Sequence, residues 1–204
     1  MTIPLIILAL LMIFFLSQIF LKEGASTLGE DKGGTSTLGG STVISEEDKY
    51  LIASFVKRNY EMIAMSYDSI DFPENKMVSY KDILSIICVE SGPFLVNGKK
   101  NQDLIGDDGK SFGIMQVSEE ALQDVNLDLG LYNVKSDLLK NVNVNVCTGA
   151  HYLELCYERA VQEKARDIRA LAVRKYNAGI LTATEKNTIS MDYLTRFNAF
   201  RGLV

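Results

Sequence analysis

The stretch Ser79-Tyr80-Lys81-Asp82-Ile83-Leu84-Ser85-Ile86-Ile87-Cys88-Val89-Glu90-Ser91-Gly92 decides how this chain is read. Ser79 followed three residues later by Asp82 is a helix-start signal. The serine oxygen can accept from a free N–H of the first turn, and an acidic residue suits the positive helix end. Residues 83 to 89 are apolar nearly all round, and a helix without a polar face belongs in a core. Glu90 follows directly, and Ser91-Gly92 closes the run. A carboxyl at the rim of a buried helix is partly desolvated, which favours its neutral form. That is the state a general acid needs near neutral pH. The plain alternative is a helix-terminal glutamate that reaches solvent.

Upstream, Ser45-Glu46-Glu47-Asp48 reads as another helix start. Leu51, Ile52, Phe55, Val56, Tyr60, Ile63 and Ala64 then recur at helical spacing, and Asp71-Phe72-Pro73 reads as a turn. Downstream, residues 92 to 113 contain five glycines and a proline and read as one long loop, the kind of segment that carries function. Within it, Asp103–Ile105 and Phe112–Val117 are expected to pair as a small hairpin. Further helices are expected over about 142–161, 167–177 and 190–200, the first of them central to the core. No element is assigned to residues 118–141. Residues 46–204 are thus expected to form one mainly α domain with a small β/loop element, long enough for a single core.

The N-terminal part differs. Residues 3–21 read IPLIILALLMIFFLSQIFL, without a charge, and about 19 such residues can span a bilayer core. No Lys or Arg precedes the run and no clear small-residue cleavage site follows it, so a retained anchor over 1–22 is favoured over a signal peptide. Residues 23–45 are rich in Gly, Ser and Thr and repeat Ser-Thr-Leu-Gly at 26–29 and 36–39. Such a segment buries too little to offset its ordering entropy and is expected to be a flexible linker.

The chain has 204 residues and a net charge of −5, which argues against a nucleic-acid partner. Three cysteines are too few for a disulfide scaffold. Cys147 and Cys156, on one expected helix, would lie about 13.5 Å apart, too far to bridge, whereas a bridge from Cys88 stays open. A single histidine, His151, argues against a zinc site and a His-based triad, and reads as a helix-surface or core-edge residue. No metal or other cofactor is implied.

Three short motifs, taken in order, carry a family resemblance: Glu90-Ser91-Gly92, Gly113-Ile114-Met115-Gln116 and Tyr176-Asn177-Ala178-Gly179, followed by Tyr193 in Met-Asp-Tyr-Leu-Thr-Arg-Phe. Over about 46–200 the chain resembles the lysozyme-like domain of lytic transglycosylases and goose-type lysozymes. Ile114 stands where that family usually has leucine, a swap of similar volume. The resemblance implies Glu90 as catalytic acid, with Ser91 beside it as a hydrogen-bonder of substrate or water. It implies Met115 and Gln116 lining the sugar site, Tyr176 and Asn177 flanking the glutamate, and Tyr193 hydrogen-bonding its carboxyl. It gives Asn143 and Gly149 structural roles. It places the cleft between the 92–117 loop and the Tyr176–Tyr193 segment.

The implied reaction is cleavage of the β-1,4 bond between N-acetylmuramic acid and N-acetylglucosamine in peptidoglycan strands. In a transglycosylase, the muramic 6-hydroxyl attacks and leaves a 1,6-anhydro end. In a goose-type hydrolase, an aspartate positions water, and Asp107 in Gly-Asp-x-Gly-x-x-Phe-Gly-x-Met-Gln-Val is similar to that residue. Asp-Asp-Gly is equally an ordinary turn sequence. The transglycosylase is the favoured reading. A catalytically inactive peptidoglycan-binding module and a membrane-anchored scaffold are the non-enzyme alternatives. Anchor, linker and domain together imply a membrane-tethered wall-cleaving enzyme of a cell envelope or a viral membrane, held near its substrate by tethering.

Overall fold

The computed structural model describes residues 44–69, 77–131 and 135–204. The expected anchor, all of the linker before residue 44 and the turn at 71–73 lie outside these residues. Among the described residues no helix is long and apolar enough to cross a membrane.

Seven α-helices and a three-stranded sheet make up the described fold. The first helix, α1 (Glu46–Ser69), starts where Ser45 Oγ accepts the Asp48 N–H at 3.1 Å and donates to the Asp48 carboxylate at 2.6 Å. Next comes α2 (Tyr80–Glu90), with a reciprocal cap in which Ser79 N–H donates to Asp82 Oδ2 at 3.0 Å and Asp82 N–H donates to Ser79 Oγ at 3.3 Å. Every residue from Asp82 to Val89 is buried, as the all-round apolar pattern predicts. Glu154 on α5 (Val142–Gln162) accepts the backbone N–H groups of Met77 and Val78 at 2.8 and 3.0 Å, fixing the entry to α2.

The longest stretch of the core is α5 itself. Val146, Ala150, Leu153, Cys156 and Ala160 form its fully buried stripe at spacings of three and four. This helix packs on α6 (Ile168–Ala178), α1 packs on α2, and α2 packs on α7 (Met191–Arg201). The α2–α7 pair is pinned twice. Arg201 Nε donates to the wholly buried Asp82 carboxylate at 2.6 Å, and Tyr193 Oη donates to Glu90 Oε1 at 2.7 Å. The two contacts are eight residues apart on each helix, so the antiparallel pair is held in register at both ends.

Residues 92–113 are not one loop. They contain α3 (Gly92–Val96) and short 3₁₀ turns at Asn101–Asp103 and Asp107–Gly109. The Ser118–Asp128 stretch, unassigned above, forms α4 (Glu119–Asp128), capped where Ser118 Oγ accepts the Ala121 N–H at 3.1 Å.

The expected hairpin is also corrected. Strands β1 (Ile105–Gly106), β2 (Ser111–Phe112) and β3 (Val117–Ser118) pair antiparallel in that order, with Ile105 opposite Phe112 and Phe112 opposite Val117. Residues 112 to 117 cannot be one strand, because Gly113 (φ 74°) and Gln116 (φ 47°) are left-handed and enclose a tight turn. Two asparagines supply the hydrogen bonds that a neighbouring strand would have given. Ile114 N–H donates to Asn101 Oδ1 at 2.8 Å, and Met115 N–H donates to Asn145 Oδ1 at 2.9 Å. Asn145 Nδ2 donates to Phe112 O at 2.7 Å. A Cβ on Gly113 would lie 2.3 Å from the Asn145 side-chain nitrogen, so space as well as φ requires glycine there.

None of Cys88, Cys147 and Cys156 is in a disulfide, so no Cys88 bridge forms. His151 sits at the core edge with Nε2 2.9 Å from Asp128 Oδ2.

Candidate active site

Glu90 is the last residue of α2, and the helix ends there because Ser91 leaves helical geometry at φ −137°. The eight buried residues before it fix the helix in the core and set the carboxyl at the edge, where Glu90 is partly exposed. Desolvation is the dominant influence on that carboxyl. The Tyr193 hydrogen bond and the Arg196 charge pull the other way, the Asp107 charge adds to desolvation, and the pKa is pushed up to about 7. Glu90 can therefore hold a proton at neutral pH and release it within the same range.

Tyr193 is buried, and burial together with the Glu90 charge raises its hydroxyl well above the usual tyrosine range, so it remains a donor. Tyr193→Phe removes a bond that favours ionised Glu90. The Glu90 pKa is then expected to rise further, by roughly 1 to 2 pH units. Carbon-13 NMR titration of labelled Glu90 reads this directly, and an unchanged or lowered midpoint would refute the bond's role.

The turn Gly113–Gln116 is fastened to the glutamate from two sides. Ser91 Oγ donates to Ile114 O at 2.7 Å, and Tyr176 Oη donates to Met115 O at 2.8 Å. The Tyr176 ring lies 5.6 Å from that of Tyr152, a tilted aromatic pair in the core. Ser91 and Met115 have no exposed surface, so what their side chains do in this structure is hold the turn. Met115 packs on Gly149, where an added Cβ would come within 2.8 Å of its sulfur. Gln116 is partly exposed, and its Nε2 donates to Gly113 O at 2.7 Å. Asn177 is exposed and does not touch Glu90. It accepts the Ser190 hydroxyl at 2.7 Å and so ties the end of α6 to the start of α7.

Asp107 lies close enough for its charge to act on Glu90. It is exposed, adopts φ 49° next to Asp108 at φ 54°, and accepts the Ser111 hydroxyl at 2.6 Å. Two successive left-handed aspartates are backbone outliers of the kind that cluster at functional sites. Arg196, which the motif reading does not single out, stands one turn after Tyr193. Its guanidinium carbon is 5.7 Å from the Tyr193 ring centroid. Its signal in the sequence is only the i, i+3 spacing from Tyr193. Asn101 and Asn145 are likewise absent from the motif reading, although they shape the turn. Among the described residues no group of three or more His, Cys, Asp or Glu side chains could hold a metal ion.

A protonated carboxyl held by a tyrosine on a helical domain, with a second carboxylate nearby, is the equipment of an acid-catalysed glycan-cleaving enzyme. Residues 69–196 match the family model described as Transglycosylase SLT domain, and the chain belongs to that family. The match runs from the end of α1 into α7 and includes Glu90, Asp107, Tyr193 and Arg196. No curated protein and no solved structure matches the chain. Membership makes this a lytic-transglycosylase or lysozyme-like enzyme whose substrate is peptidoglycan.

Proposed function

We propose that the chain is a lytic transglycosylase that cleaves the β-1,4 bond between N-acetylmuramic acid and N-acetylglucosamine, with Glu90 as acid and then base. The observation that carries this reading is the Tyr193–Glu90 hydrogen bond of 2.7 Å on a carboxyl whose pKa is near 7. Protonated Glu90 gives its proton to the glycosidic oxygen. The bond from muramic C1 to that oxygen breaks, its electron pair leaves with the oxygen, and positive charge develops on C1. Glu90, now a carboxylate, accepts the proton of the muramic 6-hydroxyl as that oxygen bonds to C1. The 1,6-anhydro ring closes, Glu90 is protonated again, and no water is consumed. In this reading Ser91, Met115 and Tyr176 act through the turn, Gln116 and Asn177 offer contacts to the glycan, and Tyr193 orients the acid.

Asp107 supports a second reading, hydrolysis with Asp107 positioning water, because its charge reaches Glu90 and Ser111 fixes its orientation. Mass spectrometry of products from the full chain and purified peptidoglycan separates the two. Muropeptides lighter by one water, with no reducible end, are expected. Asp107→Asn should then retain activity within about 10-fold, below the 10²–10⁴-fold that general acid–base groups supply. Reducing ends, with loss of activity in Asp107→Asn, would establish the hydrolase instead. Binding without any product would mean an inactive peptidoglycan-binding module.

The reading extends to placement. Residues 1–22 serve as a membrane anchor and residues 23–45 as a tether, in a cell envelope or a viral membrane. The uncharged run at 3–21 supports it. A chain of about 20 flexible residues has a mean reach of roughly 25 Å, so activity is confined near the membrane.

A further inference from the structure

Arg196 is the cation that the mechanism above leaves without a task. It is exposed, and among the described residues its side chain makes no hydrogen bond or salt bridge; it lies over the Tyr193 ring, and its charge acts on Glu90. The other arginines of α6 and α7 that face the core are committed. Arg174 donates to Asn187 and to Ile189 O, and Arg201 donates to Asp82. Arg196 instead presents a planar fork of donors to solvent, one helical turn from the tyrosine that holds Glu90.

We propose that Arg196 is a carboxylate-binding subsite that recognises the acidic substituent of the muramic sugar at the cleavage point. The inference rests on the reading of Glu90 as the acid of glycan cleavage. The chemistry of the strand matches the position. The muramic ring whose C1–O bond breaks carries a lactyl group on its own O3, two ring carbons from C1. In a denuded strand that group ends in a free carboxylate. In a strand with stem peptides the lactyl carboxyl is amidated and the peptide supplies carboxylates farther out. Both present the anion that guanidinium binds best, through two parallel N–H···O bonds.

The surroundings make the subsite selective for such an anion. The chain carries a net charge of −5, and Asp107 and Glu90 face the same region. A carboxylate would be repelled there without a local cation. The contact with the Tyr193 ring steadies the guanidinium while its N–H groups remain free to bind a ligand. Protonated Glu90 does not compete for it, so anion binding and the acid form of the enzyme are compatible.

The test uses the full chain and three preparations of one peptidoglycan. The first is intact strands, the second is strands stripped of stem peptides by an amidase, and the third is stripped strands with carboxyls converted to neutral methylamides. Wild type is expected to cleave the stripped strands with kcat/KM about 10-fold above the neutralised ones, which corresponds to about 1.4 kcal/mol. The difference should lie mainly in KM. Arg196→Gln should abolish that preference, and Arg196→Lys should keep part of it. Preference for stripped strands over intact ones assigns the lactyl carboxylate. Preference for intact strands, lost in Arg196→Gln, assigns a stem-peptide carboxylate.

Equal cleavage of charged and neutralised strands by wild type overturns the proposal while leaving Glu90 catalysis standing. Preference that persists in Arg196→Gln overturns it as well. So does an Arg196→Gln variant that only shifts the pH profile and loses activity equally on every substrate, since Arg196 would then act on Glu90 alone. Wild type that cleaves none of the strands overturns the reading of Glu90 on which the inference rests, and the inference with it.

Discussion

Glu90→Gln is expected to lower the rate of peptidoglycan cleavage by about 10³-fold while leaving the domain folded. Glutamine fits the same space and can still accept from Tyr193, so the geometry around α2 survives. What disappears, in the proposed mechanism, is the proton that the departing oxygen needs and the carboxylate that would later take one back. The pH dependence of the wild type follows from the same group. With Glu90 as the acid, activity is expected to fall as pH rises through about 7. A rate that stays level to pH 9 would show that another group supplies the proton.

The same substitution carries a stability signature of opposite sign. The native carboxyl titrates near 7 against an ordinary value of 4.5. The native state therefore binds the proton more tightly than the unfolded chain. Glu90's contribution to stability is fully present below 4.5 and is lost as pH rises through 7. Glu90→Gln should accordingly raise the melting temperature at pH 8 and change it little at pH 4. An enzyme variant that is less active and more stable only at alkaline pH is hard to explain by misfolding.

The second large effect is expected at Lys175→Met. Lys175 is wholly buried, and its ammonium donates to Ile180 O at 2.7 Å, to Ala183 O at 2.8 Å and to Glu163 Oε1 at 3.0 Å. Its three protons are thus all used. Burial alone would raise the Glu163 carboxyl, but the bonds and charges of Lys175 and Arg159 hold it below the usual range. Methionine keeps the apolar stem and removes the charge, leaving two carbonyls without their donor. A loss of about 3 kcal/mol is expected, or roughly 10 °C in melting temperature for a domain of this size. The tether lost is that of the segment after Ala178, which leads into α7 and hence to Tyr193. Thermal unfolding by circular dichroism measures it, and a melting point within a degree or two of wild type would mean that the ammonium contributes no net stability.

Lys175 also illustrates where sequence reading stops. In Lys-Tyr-Asn-Ala-Gly it looks like a basic residue in the last turn of a helix, which is a surface role. Nothing local announces that the chain beyond Gly179 folds back over it. By contrast, α2 and its terminal glutamate were legible, because an apolar run closed by a carboxyl has few other solutions. The Ser118-Glu119-Glu120 start of α4 repeats the pattern of Ser45-Glu46-Glu47 and was legible on the same grounds, although it stands unassigned in the sequence reading. The turn at Gly113–Gln116 was not. Its apolar–polar alternation reads as a strand, and the asparagines that override this come from other elements. Tyr193 could be matched only by motif, and its partner across 103 residues is a tertiary fact.

Those asparagines have a consequence in time. The bonds that shape the turn reach across 13, 30 and 33 residues, and Asn101 is itself anchored to Leu139 O and Lys140 O across 38 and 39. A segment with so few local partners gains nothing from closing early, because the entropy of closing the loops is spent before the contacts repay it. Its shape requires Asn145 of the Val142–Gln162 helix to be in place beside it. A chain in which these long-range bonds have not formed lacks the turn that surrounds Glu90.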